Sequence, residues 1–130
     1  APTTTEFIYK LNYSESFPMV LQKYLDKKGI TKYKQVYDAI YMKQDTFSSI
    51  LRGKYKEVKK ENVFRLCIGL KLTLDEAEDL LRSASFSFAP GNMLDVVIKA
   101  NIINRCYDPF LIDEELEENK TRVLFSLDWF

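Results

Sequence analysis

The sequence contains no histidine, and this absence excludes several kinds of chemistry at once. Histidine is the commonest general base and the commonest transition-metal ligand of proteins. The only two cysteines, Cys67 and Cys106, form no CxxC pair, so a structural zinc site is not expected. None of the four glycines lies in a phosphate-binding loop. Because no nucleophile is placed beside a base, we expect neither an enzyme nor a bound cofactor or metal ion.

Long apolar runs are also missing. No stretch approaches the roughly 18–20 apolar residues that span a bilayer. Residues 1–6 show no basic region followed by an apolar stretch, so they do not resemble a signal peptide. Two cysteines are too few for a disulfide framework in a chain of this size, and Cys67 lies in an apolar helical pattern typical of a buried thiol. These features predict a soluble, cytoplasmic protein with no membrane partner.

The charge of the chain is balanced but unevenly distributed. The 130 residues are 46% hydrophobic and 29% charged, which suits one globular domain. Residues 27–60 carry ten Lys or Arg and three Asp or Glu, a net charge of +7, whereas residues 61–130 carry a net charge of −6 and residues 1–26 of −1. A basic segment beside an acidic one indicates a surface for an anionic partner. Lysines on a solvated helical surface would give the same pattern.

Apolar residues recur at helical spacing through most of the chain. Ser16 can cap a first helix that Gly29 ends, and Gly53 ends another. Thr73 and Glu76 have the spacing of a capping box at the start of a later helix. The predicted helices cover residues of about 17–28, 32–40, 46–51, 61–69, 74–81, 93–104 and 111–119.

At the two ends of the chain, apolar residues recur at every second position and not at helical spacing. Apolar residues stand at 7, 9, 11 and 13, and again at 123, 125, 127 and 129, with the period of two that is typical of strands. An isolated two-stranded ribbon is marginally stable, so it would have to lie on the helical body or on another subunit. We therefore predict an all-α fold with room for a small terminal β ribbon.

The most specific pattern lies between Lys32 and Lys54. This stretch is predicted to form two short helices that cross, and such a pair needs a tight turn and apolar residues at fixed offsets. The stretch ends in Ile50-Leu-Arg-Gly-Lys54. Residues 63–81 then supply two further helices. The apolar offsets of the two crossing helices are Val36, Ile40, Met42, Phe47 and Ile50.

This ordered set resembles the lambda-repressor-like helix-turn-helix family, also called the Cro/C1 or XRE type, over residues 17–84. The chain departs from the family at Tyr37, where a small alanine is usual, and at Tyr41, where a glycine is usual. The resemblance implies a five-helix domain over residues 17–88. An N-terminal arm or short strand over residues 1–16 would precede it, and a helical C-terminal extension over residues 89–130 would pack on it.

In this family the second helix of the motif enters the major groove of DNA. Gln44 could pair with adenine through two hydrogen bonds, whereas Asp45 could accept only from cytosine and would otherwise repel phosphates. By position, the resemblance implies base-facing roles for Lys43, Gln44, Asp45, Ser48 and Ser49. It implies phosphate contacts for Arg52, Lys54, Lys56, Lys59 and Lys60.

The function that the resemblance implies is sequence-specific binding of double-stranded DNA, as in a bacterial or phage transcriptional regulator without catalysis. The alternative is a protein–protein interaction module that keeps the helix-turn-helix fold but does not bind DNA. The zero net charge, the two tyrosines and Asp45 favour that alternative. A homodimer and a separate protein partner both stay open, since Trp129 and Phe130 could pack on the body or on a second copy. The acidic run at 113–118 is interpreted as a solvated helix face; the alternatives are that it masks the basic face or binds a basic partner.

Overall fold

The computed structural model describes residues 3–14 and 16–126, apart from the side chains of residues 12–14. Over these residues the chain is helical and has no strand, so the all-α prediction is confirmed. No helix in this part of the chain is long and apolar enough to cross a membrane. The eight helices are α1 (Thr4–Ser14), α2 (Phe17–Lys27), α3 (Lys34–Ala39), α4 (Gln44–Leu51), α5 (Lys60–Gly69), α6 (Leu74–Ser83), α7 (Met93–Ile103) and α8 (Pro109–Glu118).

The strand predicted at residues 7–13 is wrong, because helix α1 covers them. The Thr3 hydroxyl accepts a hydrogen bond from the Glu6 N–H at 3.2 Å, as a helix cap does. Phe7, Ile8 and Leu11 also share one helical face. So short an apolar run fits both the period of two residues of a strand and the period of 3.6 residues of a helix. The second half of the predicted ribbon has no strand over residues 121–126, and its residues 127–130 lie outside the described part of the chain.

One hydrophobic core holds helices α2 to α8 together. Phe47 of α4 and Phe64 of α5 are among its largest fully buried side chains, and Phe125, beyond α8, is another. Helices α7 and α8 add Ile98 and Leu116, neither of which is exposed at all. Each such side chain stabilises the fold by about 1.5–3 kcal/mol relative to its exposed state. Residues 93–125 are therefore part of the same packed body as residues 17–83.

Helices α2 to α8 all end in the same hydrogen-bonded motif. After each helix one residue adopts a positive φ, and its N–H and the next N–H bond back to carbonyls of the last turn, which is a Schellman motif. Glycine holds the positive-φ position after α2 and α4, as the sequence predicted for Gly29 and Gly53. The other five motifs place a residue with a side chain there: Tyr41, Lys71, Ser85, Arg105 and Lys120.

The segment that follows α8 is fastened through its backbone by two charged side chains. The Asp113 carboxylate accepts hydrogen bonds from the N–H groups of Leu124, Phe125 and Ser126 at 2.8–3.1 Å. The Arg65 guanidinium donates to the Leu124 carbonyl at 3.0 and 2.7 Å. Leu124 and Phe125 are thereby buried with their polar backbone satisfied. Asp113 is thus a structural anchor, a role that the sequence analysis did not assign to the acidic run.

Helices α2 and α6 are joined by a charged clamp at the start of α6. Thr73 and Glu76 form the capping box that the sequence predicted. The buried Glu76 carboxylate also accepts from Lys27 at 2.8 Å and from Lys28 at 2.9 Å. Burial favours the neutral acid, but these bonds and that from the Thr73 N–H outweigh it and lower the pKa of Glu76 to about 2.

Candidate nucleic-acid interface

Helices α3 and α4 pack against each other and are joined by only four residues, 40–43. Tyr41 takes a positive φ of 54°, the left-handed conformation for which glycine is usual. Its N–H bonds to the Asp38 carbonyl, and the Met42 N–H bonds to the Tyr37 carbonyl at 2.8 Å. Met42 then turns into the core and is 3% exposed. The short connection is thus held by a Schellman motif despite the tyrosine.

Phe47 fixes the position of α4 on the body. It is 1% exposed and lies between Tyr33 and Tyr37, whose ring centroids are 5.5 and 5.6 Å from its own. Tilted aromatic pairs at this distance add stability beyond the area that they bury. Tyr37, which replaces the usual small residue of the family that the sequence resembles, therefore contributes to packing. Ile50 anchors the second turn of α4, at 2% exposure.

The outer face of α4 is polar. Gln44, Asp45 and Arg52 are exposed, and Ser48 and Ser49 are partly exposed. With Phe47 and Ile50 directed inward, Asp45, Ser48, Ser49 and Arg52 lie on the opposite side of the helix, and Gln44 lies at the edge of that side in the first turn. Lys43 precedes the first turn and is exposed as well. All five residues predicted to face the bases thus lie on or next to one solvent-facing surface.

The lysines and arginine between residues 27 and 60 fall into two groups. Four of them form ion pairs, with Glu76, Asp38 or Asp95: these are Lys27, Lys28, Lys34 and Lys60. The other six are exposed and make no ion pair with any residue that the structure describes: Lys32, Lys43, Arg52, Lys54, Lys56 and Lys59. Five of these six stand at the ends of α4 or in the loop at residues 52–59. Within residues 27–60, the cations that form no ion pair with a described residue are therefore concentrated around α4.

Lys60 differs from the other predicted phosphate contacts. Its ammonium group forms a salt bridge with Asp95, whose side chain is 3% exposed, and it also lies 5.6 Å from the centroid of the Phe64 ring. Asp95 further accepts a hydrogen bond from the Ala89 N–H at 2.7 Å. Removing Lys60 from this site would leave a buried carboxylate without its cation. Lys60 thus ties α5 to α7, and the surface around α4 is better described without it.

Two acidic residues interrupt this basic surface. Asp45 is exposed in the first turn of α4, where a carboxylate interacts favourably with the helix dipole. Glu57 is exposed within the loop at residues 52–59. Tyr55, 48% exposed, adds an aromatic ring between Lys54 and Lys56. Sequence reasoning passed over Tyr55, since only charge and family position guided the choice of residues.

Residues that could hold a metal ion are not grouped in the described part of the chain. No group of three or more Asp, Glu or Cys side chains among the described residues could hold a metal ion. A cavity of about 460 Å³ lies between the loop at residues 52–59 and the segment after α8. Its polar lining includes Arg65 and Glu61, and these hold Leu124 and Arg122. Residues that anchor the last segment therefore form part of the cavity wall.

No protein-family model matches this chain, and neither a search of curated proteins nor a search of solved structures finds a match.

Proposed function

We propose that this protein binds double-stranded DNA through α4, as a transcriptional regulator with a lambda-repressor-like helix-turn-helix. The observation that carries the proposal is the grouping, around α4, of cations that form no ion pair with a described residue. Lys43, Arg52, Lys54, Lys56 and Lys59 surround the polar face of α4, whereas the lysines of α2 are neutralised by α6. Cations left without acidic partners are available to neutralise phosphates and to release the counterions that surround DNA.

The two kinds of contact fall to different residues. Gln44, Ser48 and Ser49 lie on the outer face of α4, and their side chains suit hydrogen bonds to base edges in the major groove. The cations at the two ends of α4 would contact the phosphates on either side of that groove and fix the orientation of the helix. The packing of Phe47 between two tyrosines supports a base-reading role for α4, because a helix that contacts base edges must keep its position on the body.

A protein–protein interaction module that does not bind DNA is the second candidate, and Asp45 is the observation that favours it. An exposed carboxylate in the first turn of α4 would approach phosphates in a major-groove complex. Against a protein partner the same carboxylate could pair with a lysine or arginine. The two functions differ in how binding depends on duplex DNA and on salt.

The test is fluorescence anisotropy of a labelled random-sequence duplex, titrated with the full chain at several salt concentrations. If four or five cations contact phosphates, log K should fall against log salt with a slope of about −4. A steep slope supports the proposal, and selection of a preferred sequence from a random pool would complete it. No binding at low salt would exclude DNA binding and leave the interaction module.

A further inference from the structure

Helix α7 is apolar on both of its long faces. One face packs into the core through Leu94, Val97, Ile98 and Ile102. The other face is exposed and carries Met93, Val96, Ala100 and Ile103; Met93 is 46% exposed, Val96 41% and Ile103 56%. A helix that is apolar all round is ordinarily buried all round. Thus none of the described residues covers the exposed stripe of α7 as its composition would require.

The spacing of this stripe is that of a seam between two helices. Residues 93, 96, 100 and 103 follow intervals of three, four and three, which are the a and d positions of a heptad. This spacing keeps apolar residues facing one straight partner helix over about 15 Å, at 1.5 Å rise per residue. The small Ala100 in the middle lets two helix backbones approach closely.

The charges on either side of the stripe indicate what covers it. Lys99 borders the stripe on one side, where its ammonium group lies 5.9 Å from the centroid of the Phe88 ring. On the opposite side of α7, Asn101 donates to Glu115 of α8 at 2.7 Å, so α8 with Glu115 forms the other border. One border is basic and the other acidic, so the surface is complementary to a second copy of itself.

We propose that the exposed stripe of α7 is a homodimer interface in which two copies of α7 pack side by side and parallel around a two-fold axis. A parallel arrangement brings the Lys99 border of each copy against the Glu115 border of the other. An antiparallel arrangement would instead bring Lys99 against Lys99. Opposite charges that flank an apolar seam select partner and orientation in paired helices. This inference does not rest on DNA binding, and its test needs no DNA.

Sedimentation equilibrium of the full chain over a range of concentrations gives the first test. We expect a dimer, and we expect Val96→Glu to raise its dissociation constant by about 100-fold, because each interface would bury two unpaired carboxylates. Val96 is exposed, so the variant should keep the circular dichroism spectrum and melting temperature of the parent. Ile8→Glu, at an apolar and more exposed position on α1, is the control and should leave the dimer intact. A chain that is monomeric throughout, or a dimer indifferent to Val96→Glu, overturns the proposal.

Disulfide trapping tests the orientation. In a Cys106→Ser background, Ala100→Cys places a thiol at the centre of the seam, where in a parallel pair it faces its own copy; Cys67 is buried and stays reduced. We expect a covalent dimer under mild oxidation. Ala39→Cys, an exposed position on α3, is the control and should remain monomeric on a denaturing gel. If Val96→Glu weakens the dimer but Ala100→Cys gives no covalent dimer, the parallel arrangement is overturned.

Discussion

Gly69, the last residue of α5, lies so close to Ile40 that a Cβ at position 69 would be 2.9 Å from the Ile40 Cγ2 atom. The same Cβ would be 3.3 Å from the Val36 Cγ1 atom. Glycine at 69 thereby lets α3 pack directly on α5. Since α3 supports α4, this contact sets the position of the surface that we propose to meet DNA.

We predict that Gly69→Ala destabilises the fold by about 1–3 kcal/mol, because the added methyl group forces Ile40 or the backbone of α3 to move. Alanine ordinarily stabilises a helix relative to glycine by about 1 kcal/mol, so a loss would show that packing outweighs helix propensity. Urea denaturation of both proteins measures the difference. Gly91→Ala is the control, since a Cβ at position 91 meets nothing within 4 Å. Equal stability of Gly69→Ala and the parent would contradict the close contact.

The sequence predicted the helical part of this architecture because its signals are local. The capping box at Thr73 and the glycine ends at Gly29 and Gly53 are short-range patterns, and the structure has them where they were expected. The prediction failed at residues 7–13, where a short apolar run fits both a strand and a helix. Pairings such as Lys60 with Asp95 and Asp113 with Leu124 join residues far apart in the chain, and no local pattern announces them.

The roles of individual lysines were unpredictable for the same reason. The net charge of +7 over residues 27–60 is a property of the sequence, but its division into paired and unpaired cations depends on where Glu76 and Asp95 are placed by the fold. Lys59 and Lys60 are neighbours in sequence, yet of the two Lys60 alone forms an ion pair with a described residue, Asp95. Tertiary structure alone separates a cation available to DNA from one that holds two helices together.

Removing charge from the loop after α4 should weaken DNA binding. For the double variant Lys54→Gln/Lys56→Gln we expect the slope of log K against log salt to become less steep by about 2, because each phosphate contact contributes about 0.9. Affinity at low salt should fall while stability stays the same, since both side chains are exposed. Lys71→Gln is the matched control on an exposed lysine away from α4. Anisotropy titrations at three salt concentrations would measure this, and an unchanged slope would remove these two lysines from the interface.

Asp45 offers a test of opposite sign. If the first turn of α4 enters the major groove, Asp45→Asn removes a negative charge close to the phosphates, and affinity for random-sequence duplex should rise by about 3- to 10-fold at low salt. Glu78→Gln, which removes an exposed carboxylate from α6, should leave the affinity unchanged. The same titration measures both variants. An affinity of Asp45→Asn equal to that of the parent would mean that this carboxylate does not face DNA.

The positive-φ residues that end five helices predict a gain in stability. Lys71 has a φ of 51°, where a residue with a side chain is strained by about 1–2 kcal/mol. Lys71→Gly relieves that strain, and part of the gain is offset by the greater freedom of glycine in the unfolded chain. We expect a net stabilisation of about 0.5–1 kcal/mol in urea denaturation. Lys71→Ala is the matched control, because it removes the same charge but keeps the Cβ, and it should give no gain. Equal effects of glycine and alanine would contradict a strained backbone at this position.

The clamp between α2 and α6 predicts how stability depends on pH. The pKa of Glu76 is lowered in the folded state to about 2, whereas a glutamate in the unfolded chain has a pKa near 4.5. A depressed folded-state pKa contributes stability that is present above about pH 4.5 and is lost as the pH falls toward 2. We expect this contribution to be about 2–3 kcal/mol, measured as the difference in the free energy of unfolding across that range. Glu76→Gln should be less stable at pH 7 and should lose much of the acid sensitivity between pH 4.5 and 2. Glu78→Gln, exposed on the same helix, should keep the parent profile. An acid profile of Glu76→Gln that parallels that of the parent would show that the bonds from Lys27 and Lys28 do not set the acid stability of the fold.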